Sequence, residues 1–317
     1  MKRTLTYLLI ICAFSAYSQE MTYTIKSENT DIKLVNAKLS FWDILVSSSR
    51  MTFAGGIGGK VYLNGLYVGG NYDIHYLDDL GEAVSSDNIV RGSSIYQPTR
   101  SKNGDVTLGY FLQRETTGKV RVNLKQQGKT LVYTKVEAKY NRIFGLQVNY
   151  KTGFSHMTIP AGVEVKDKYF PELGHIKTDY GMTTFMKYKW ISFGPSIGKI
   201  VDIVADFDEL GERKVKFFER IYGNVIFATK SELEDVYYTE GFGSSNPMVH
   251  QYVLDGNVAM SNLGFNIGYE TFKLRGVGVG YGIEIGVMPG VKVKGAGNGY
   301  FLVKWGLVFG KGFGIKS

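Results

Sequence analysis

Residues 276–288 read GVGVGYGIEIGVM. The odd positions, Val277, Val279, Tyr281, Ile283, Ile285 and Val287, are all apolar. The even positions are glycine apart from Glu284 and Met288. A β-strand sends alternate side chains to opposite faces. Folded as a strand, this segment has one wholly apolar face and one nearly bare face. The strict period of two excludes an amphipathic helix, whose apolar positions recur every three to four residues.

The same alternation spreads outward from this stretch. Leu263, Phe265, Ile267 and Tyr269 oppose Asn262, Gly264, Asn266, Gly268 and Glu270, and Phe301, Val303, Trp305, Leu307 and Phe309 oppose Leu302, Lys304, Gly306, Val308 and Gly310. Further upstream, Leu66, Val68, Tyr72, Ile74 and Tyr76 oppose Tyr67, Gly69, Asn71, Asp73 and His75. Asn64-Gly65 just before them is a strong two-residue hairpin turn. Val132, Val136, Ala138 and Tyr140 form an apolar face, and after a turn at Asn141-Arg142 so do Phe144, Leu146, Val148 and Tyr150. Tyr180, Met182, Met186, Tyr188 and Trp190 make another, opposite Lys187 and Lys189.

Longer polar connections fall at roughly 78–103, 153–177 and 229–257. If long loops face one side of a membrane and tight turns the other, strand parity is constrained. Three segments (33–43, 51–63, 66–77) precede the first long loop and three follow the last. Four fit between the first two loops. Between the second and third, segments 179–193, 199–207 and 213–228 leave an odd number where an even one is needed. The expected fold is an all-β, antiparallel up-and-down transmembrane barrel of about twelve strands, within a range of ten to fourteen.

The first residues indicate the compartment. Lys2 and Arg3, the apolar run Leu5–Phe14 and the small-x-small site Ala16-Tyr17-Ser18 read as a secretory signal peptide spanning 1–18, cleaved before Gln19. Residues 19–317 then form a single outer-membrane barrel domain, with 19–32 as an N-terminal periplasmic segment. Cys12, the one cysteine, lies in the leader, so disulfide and thiol chemistry are excluded from the mature chain. The formal charge is +8, yet basic residues alternate with apolar ones and form no nucleic-acid patch.

A soluble sandwich also alternates, but three features favour lipid. The polar faces are glycine-rich with few long charged residues. Aromatics recur near strand ends (Tyr76, Tyr150, Tyr188, Trp190, Tyr269, Tyr300, Phe309), where interface girdles are expected. Lys304–Phe309 begins like the C-terminal signal read by the barrel-insertion machinery. The leader ending Ala-Tyr-Ser, and the run from Lys273 to Phe309 with Gly280–Gly286 and Gly299–Lys304, resemble the exported, porin-like outer-membrane barrels of the Bacteroidota. The chain departs from them by running on past Phe313 to Ser317. That resemblance implies a Gram-negative outer membrane, with the bilayer, the insertion machinery and other outer-membrane proteins as partners.

No catalytic constellation is legible. His75, His156, His175 and His250 have no metal-ligand spacing, Gly55–Gly59 lacks a following helix, and no Gly-x-Ser-x-Gly elbow occurs. No cofactor or metal is expected. Asp73 and His75 form a rim pair, the only residues to which a hydrolase reading attaches. Lys135, Glu137, Lys139, Lys187, Lys189, Arg220, Glu270, Glu284 and Lys304 are the candidate lumen residues. Two functions remain for a non-enzymatic barrel: an accessory component of an outer-membrane assembly, or a narrow passive channel for small polar solutes.

Overall fold

The computed structural model describes residues 22–28, 30, 33–47, 50–77, 101–127, 130–159, 164–167, 172, 175–177, 182–208, 210–233, 236–240, 248–254, 258–274, 276–293 and 298–313. The signal peptide expected at 1–18 lies outside them. In chain order the strands are β1 (Tyr23–Glu28), β2 (Lys33–Ser47), β3 (Arg50–Leu63), β4 (Leu66–Leu77), β5 (Lys102–Gln127), β6 (Thr130–Ile159), β7 (Glu164–Asp167), β8 (His175–Lys177) and β9 (Met182–Phe207). They continue with β10 (Gly211–Leu233), β11 (Val236–Glu240), β12 (Met248–Leu254), β13 (Val258–Ser261), β14 (Leu263–Lys273), β15 (Gly276–Val287), β16 (Gly290–Val293) and β17 (Gly299–Phe313).

Ten strands close into an antiparallel up-and-down barrel, in the order β2-β3-β4-β5-β6-β9-β10-β14-β15-β17, with β17 returning to β2. Each pairs with its sequence neighbour in the barrel, so every connection is local. Asn64 and Gly65 make a two-residue turn at φ 49° and 89°, the conformation such hairpins need. The tight turns after β3, β5, β9 and β14 share one end of the barrel with the start of β2 and the end of β17. The long connections share the other. There β11-β12-β7-β8 form a small separate sheet, and β13 pairs with β16.

The count falls at the lower end of the expected ten to fourteen, and short of twelve, because four strands, among them the 23-residue β10, are far longer than a bilayer requires. A membrane strand needs roughly 9–11 residues, whereas β5, β6 and β9 have 26, 30 and 26. The turn expected at Asn141-Arg142 is absent. Both residues sit mid-strand in β6, paired with Glu115 and Arg114. The break expected after 193 is absent too. β9 runs through Gly194 and Pro195, its pairing to β6 unbroken while its pairing to β10 lapses there. Proline has no N–H to donate, so one ladder is interrupted and the other carries the strand.

Below the tight-turn end, these long strands leave the barrel as two hairpins. Val120, Val122, Leu124, Val136, Ala138 and Tyr140 of one pack on Val201, Ile203, Ala205 and Phe207 of the other. In each hairpin the buried side continues the strand face that points outward in the barrel. The alternation is unchanged, and only the cover differs. β1 lies against this sandwich, paired with β9 from Tyr23↔Phe207 to Glu28↔Ile203. Its Tyr23 hydroxyl and Glu28 carboxylate accept hydrogen bonds from the Glu137 and Lys139 N–H groups, blunting the free edge of β6. Lys26 reaches Asp206 (2.9 Å) and Glu212 (3.0 Å), partners that raise its pKa above the usual lysine value.

The sandwich core gives the first prediction. Val122 is fully buried there, so Val122→Asp places an unpaired charge between the hairpins, destabilising their packing by several kcal/mol, on the order of 3–5. Limited trypsin digestion should then cut at Lys119 and Arg121, while the ten-stranded barrel keeps its heat-dependent gel mobility.

Candidate functional site: the barrel interior

Parity fixes which residues face inward. On β4 these are Tyr67, Gly69, Asn71, Asp73 and His75; on β10 they are Phe218, Arg220, Tyr222, Asn224 and Ile226. β2 holds a bulge between Ser40 and Asp43, mirrored by a shift between Val303 and Gly306 on β17. It turns both Phe41 and Trp42 outward and swings Asp43 in, where its carboxylate accepts from the Trp305 N–H (3.0 Å).

At the tight-turn end the bore is filled. Leu34, Tyr62, Tyr67, Phe111, Ile143, Ile200, Phe218, Phe272, Leu274 and Val308 form one buried apolar cluster drawn from nine of the barrel strands and the turn after β14. Phe218 stacks on Phe272 at 4.8 Å between ring centroids, and Tyr67 meets Phe111 at 5.3 Å. The inward glycines make room for these rings. A Cβ on Gly145 would lie 2.6 Å from the Phe111 ring, and one on Gly280 would lie 2.6 Å from Val308. The bare face in the sequence is therefore a set of sockets.

Above the plug lies an ion layer. Glu270 bridges Lys60 and Arg220. Arg220 also donates to the Gln147 side-chain carbonyl and to the Tyr67 hydroxyl (3.2 Å), with its guanidinium 4.5 Å over the Tyr67 ring. An amide ladder climbs from it: Gln147 donates to Asn224 (3.0 Å), Asn224 to Asn266 (2.8 Å) and Asn266 to the Tyr300 hydroxyl (3.3 Å). Tyr300 and Tyr222 both donate to Glu284. Lys304 sits 3.9 Å from Asp105 and 4.0 Å from Asp73, and Lys38 sits 3.8 Å from Asp43. Apart from Asp43 and Asp73, these groups line a chamber of about 120 Å³ that Trp190, Ser192 and Lys151 also border.

Of the sequence candidates, Arg220, Glu270, Glu284 and Lys304 meet in this chamber. The other five do not. Lys135, Glu137 and Lys139 lie on the exposed face of the β5–β6 hairpin, below the barrel, where Lys139 pairs with Glu115 (3.2 Å). Lys187 and Lys189 point outward at the opposite rim, while Met186, Tyr188 and Trp190 point in, with Tyr188 stacked on Trp190 at 4.2 Å. Beyond the apolar belt the lysines take the outward positions and the apolar side chains the inward ones, as in a soluble protein. Of the expected girdle aromatics, Tyr76, Tyr150 and Phe309 face out, whereas Tyr188, Trp190 and Tyr300 are buried inside. Asp73 and His75 are buried in the lumen, Asp73 facing Lys304 and His75 Nε2 lying 3.0 Å from Asn103 Nδ2. Among the described residues no group of three His, Cys, Asp or Glu is placed to hold a metal.

The plug residues and the lysines at 38 and 60 are not among the lumen residues expected from the sequence. A signal for the plug was available: Tyr67, Phe218 and Phe272 are large rings on the phase otherwise occupied by polar residues and glycine.

No protein-family profile matches the sequence, and no curated protein matches it. The solved structures it matches include the transport unit of the autotransporter AIDA-I from Escherichia coli, at 12% identity and a TM-score of 0.21 over 93% of this chain and 91% of that one. Another is the CymD monoaromatic hydrocarbon channel, at 9% identity and a TM-score of 0.18 over 91% and 90%. Scores that low carry no weight for this chain's function. What its own residues define is a closed ten-stranded β-barrel with a polar, ion-paired and plugged interior.

The ion layer gives the second prediction. Glu270→Ala leaves Lys60 and Arg220 facing each other without their shared carboxylate, a loss of about 3–5 kcal/mol for a broken buried pair. The temperature at which the folded gel band disappears should fall clearly, and Lys60→Met in the same background should restore part of it.

Proposed function

We propose that this chain is an outer-membrane β-barrel acting as a sealed, non-enzymatic component of an outer-membrane assembly. Membrane residence is supported by the outer wall. Within a belt made of 35–46, 51–61, 66–76, 104–112, 144–154, 191–197, 221–227, 263–271, 277–287 and 301–309, one stretch from each of the ten strands, the outward positions hold no Asp, Glu, Lys or Arg. Ile57, Leu146 and Ile285 on that wall are each at least 60% exposed. Val277–Val287 spans roughly 34 Å along its strand at about 3.4 Å per residue. Tilted by roughly 40°, that gives a height close to the ~25 Å apolar band of outer-membrane barrels. An uncharged belt of that size is an interface, and a closed ring of it fits lipid better than any single protein partner.

The tight turns and both described chain ends share one side, which in such barrels is the periplasm. The sandwich of long hairpins then projects into the periplasm, and residues 1–18 are read as the leader that exports the chain. Segment 114–142, essentially the β5–β6 hairpin, holds eight Lys and Arg against two Glu. Apart from it and the leader, the chain's charges balance. A charged, structured arm on the periplasmic side supports an accessory role, offering a surface to other components of the envelope.

The observation that carries the sealed reading is the plug of Tyr67, Phe111, Phe218 and Phe272 across the bore. It argues against the narrow passive channel, and the ion-paired Asp73 argues against a rim hydrolase. In planar bilayers the folded protein should show no unitary conductance even at high load, whereas Phe218→Ala with Phe272→Ala should open measurable steps. Steps from the unaltered protein would overturn the sealed reading.

A further inference from the structure

Between the outward belt and the periplasmic sandwich lies a neck that neither structure uses. On β5 the outward face passes from Leu112 to Arg114; on the adjacent β6 it passes from Phe144 to Arg142. Arg114 and Arg142 are direct cross-strand partners, and both are exposed. Arg142 is in turn opposite Lys199 on β9. Lys199 pairs with Glu219 (2.9 Å), but among the described residues neither arginine has a carboxylate within ion-pair reach. Like charges directly opposite on a sheet repel. Immediately above them Leu112 and Phe144 are 62% and 56% exposed on the belt, and below them the same face is buried in the sandwich. Two guanidinium groups thus stand on directly paired positions at the lower edge of an apolar wall, with no carboxylate among the described residues to compensate them.

Resting on the membrane reading above, we infer that Arg114 and Arg142 bind the headgroup phosphate of an anionic phospholipid in the periplasmic leaflet. The height fits, because a lipid whose chains lie along Leu112, Tyr110, Phe144 and Leu146 brings its phosphate down to the arginines. The chemistry fits, because guanidinium groups take phosphate oxygens bidentately and long basic side chains reach from an apolar wall to the headgroup level. The net charge fits an anionic headgroup better than a zwitterionic one, whose own ammonium would add to the repulsion. The lipid would also relieve the cross-strand repulsion at the point where the two hairpins part.

Native mass spectrometry of the delipidated full-length protein in detergent, titrated with phosphatidylglycerol or phosphatidylcholine, tests this. The unaltered protein should retain a first phosphatidylglycerol in preference to phosphatidylcholine. Arg114→Gln with Arg142→Gln should weaken that retention on the order of tenfold, leaving phosphatidylcholine little changed. Arg114→Lys with Arg142→Lys should keep part of it, and Lys119→Gln with Arg121→Gln, on the exposed hairpin face, should have no effect. Equal retention of both lipids by the unaltered protein overturns the site without recourse to any variant, as does a Gln pair that binds like the original. Displacement of phosphatidylglycerol by millimolar inorganic phosphate would make it a free-anion site and overturn the lipid assignment. Insertion into vesicles of either lipid, read from heat-dependent gel mobility, is scored separately. Failure to insert overturns the membrane reading and the lipid site together, whereas insertion without lipid preference overturns the site alone.

Discussion

A β-strand cannot change which side chains face which way without a bulge, and these strands run through several surroundings in succession. The outward face of β6 is buried against a second hairpin at Val136–Tyr140, exposed as belt at Phe144–Tyr150, and paired with β9 all along its upper part. One apolar phase serves the first two, with different covers. Where the phase has to shift, the chain supplies a bulge. At Ser40–Asp43 it sends two aromatics outward and brings in a carboxylate that the Trp305 N–H and Lys38 then meet. The architecture follows from a single alternation and a small number of licensed departures.

The interior is built as a closed polar system. Around the chamber, among the described residues, the cations Lys38, Lys60, Lys151, Arg220 and Lys304 stand against the carboxylates Asp43, Asp73, Asp105, Glu270 and Glu284. Charges buried away from bulk water are costly unless paired and hydrogen-bonded, and a conducting bore would keep them hydrated instead. Here the amide ladder from Gln147 to Asn266 and the tyrosine hydroxyls on Glu284 satisfy the lone pairs that ion pairing leaves over. Such a network, seated on a stack of aromatic rings, holds the wall in register more than it provides a path. The inward glycines belong to this design, since they allow rings to lie flat against a wall too narrow for two side chains.

Much of this was legible in the sequence because the belt is written in period two. Residues 263–309 declare their faces without ambiguity, and Asn64-Gly65 declares its turn. What was not legible is how far a strand continues once it leaves the belt. Asn141-Arg142 and Gly194-Pro195 look like turns because their residue types favour turns, yet pairing to neighbours overrides them. Segment 180–190 was read with the wrong side out because an apolar face on an aqueous rim turns inward, and alternation alone does not say on which side of the belt's edge a residue lies. Lys135, Glu137 and Lys139 keep the lumen-facing phase but lie where β6 has already left the barrel, which alternation does not reveal. Within the interior, single charges such as Arg220 and Glu270 could be placed by parity, whereas the plug required reading aromatics against the polar phase.

The distribution of charge ties these parts together. The belt carries none, the described groups around the chamber balance one another, and the excess gathers on one hairpin beyond the barrel's tight-turn end. A uniform surface excess would serve solubility, but an excess confined to one arm gives the molecule a direction. Arg114 and Arg142 begin that arm at the edge of the belt, and Lys119, Arg121 and Lys135 extend it on the exposed face. Basic groups at the edge of an apolar belt resist being drawn into hydrocarbon, so in the proposed membrane setting they would hold the barrel at one depth and keep the hairpin out of the bilayer. On the proposed membrane reading, the residues that set the barrel's height also present a strongly charged surface beyond its tight-turn end.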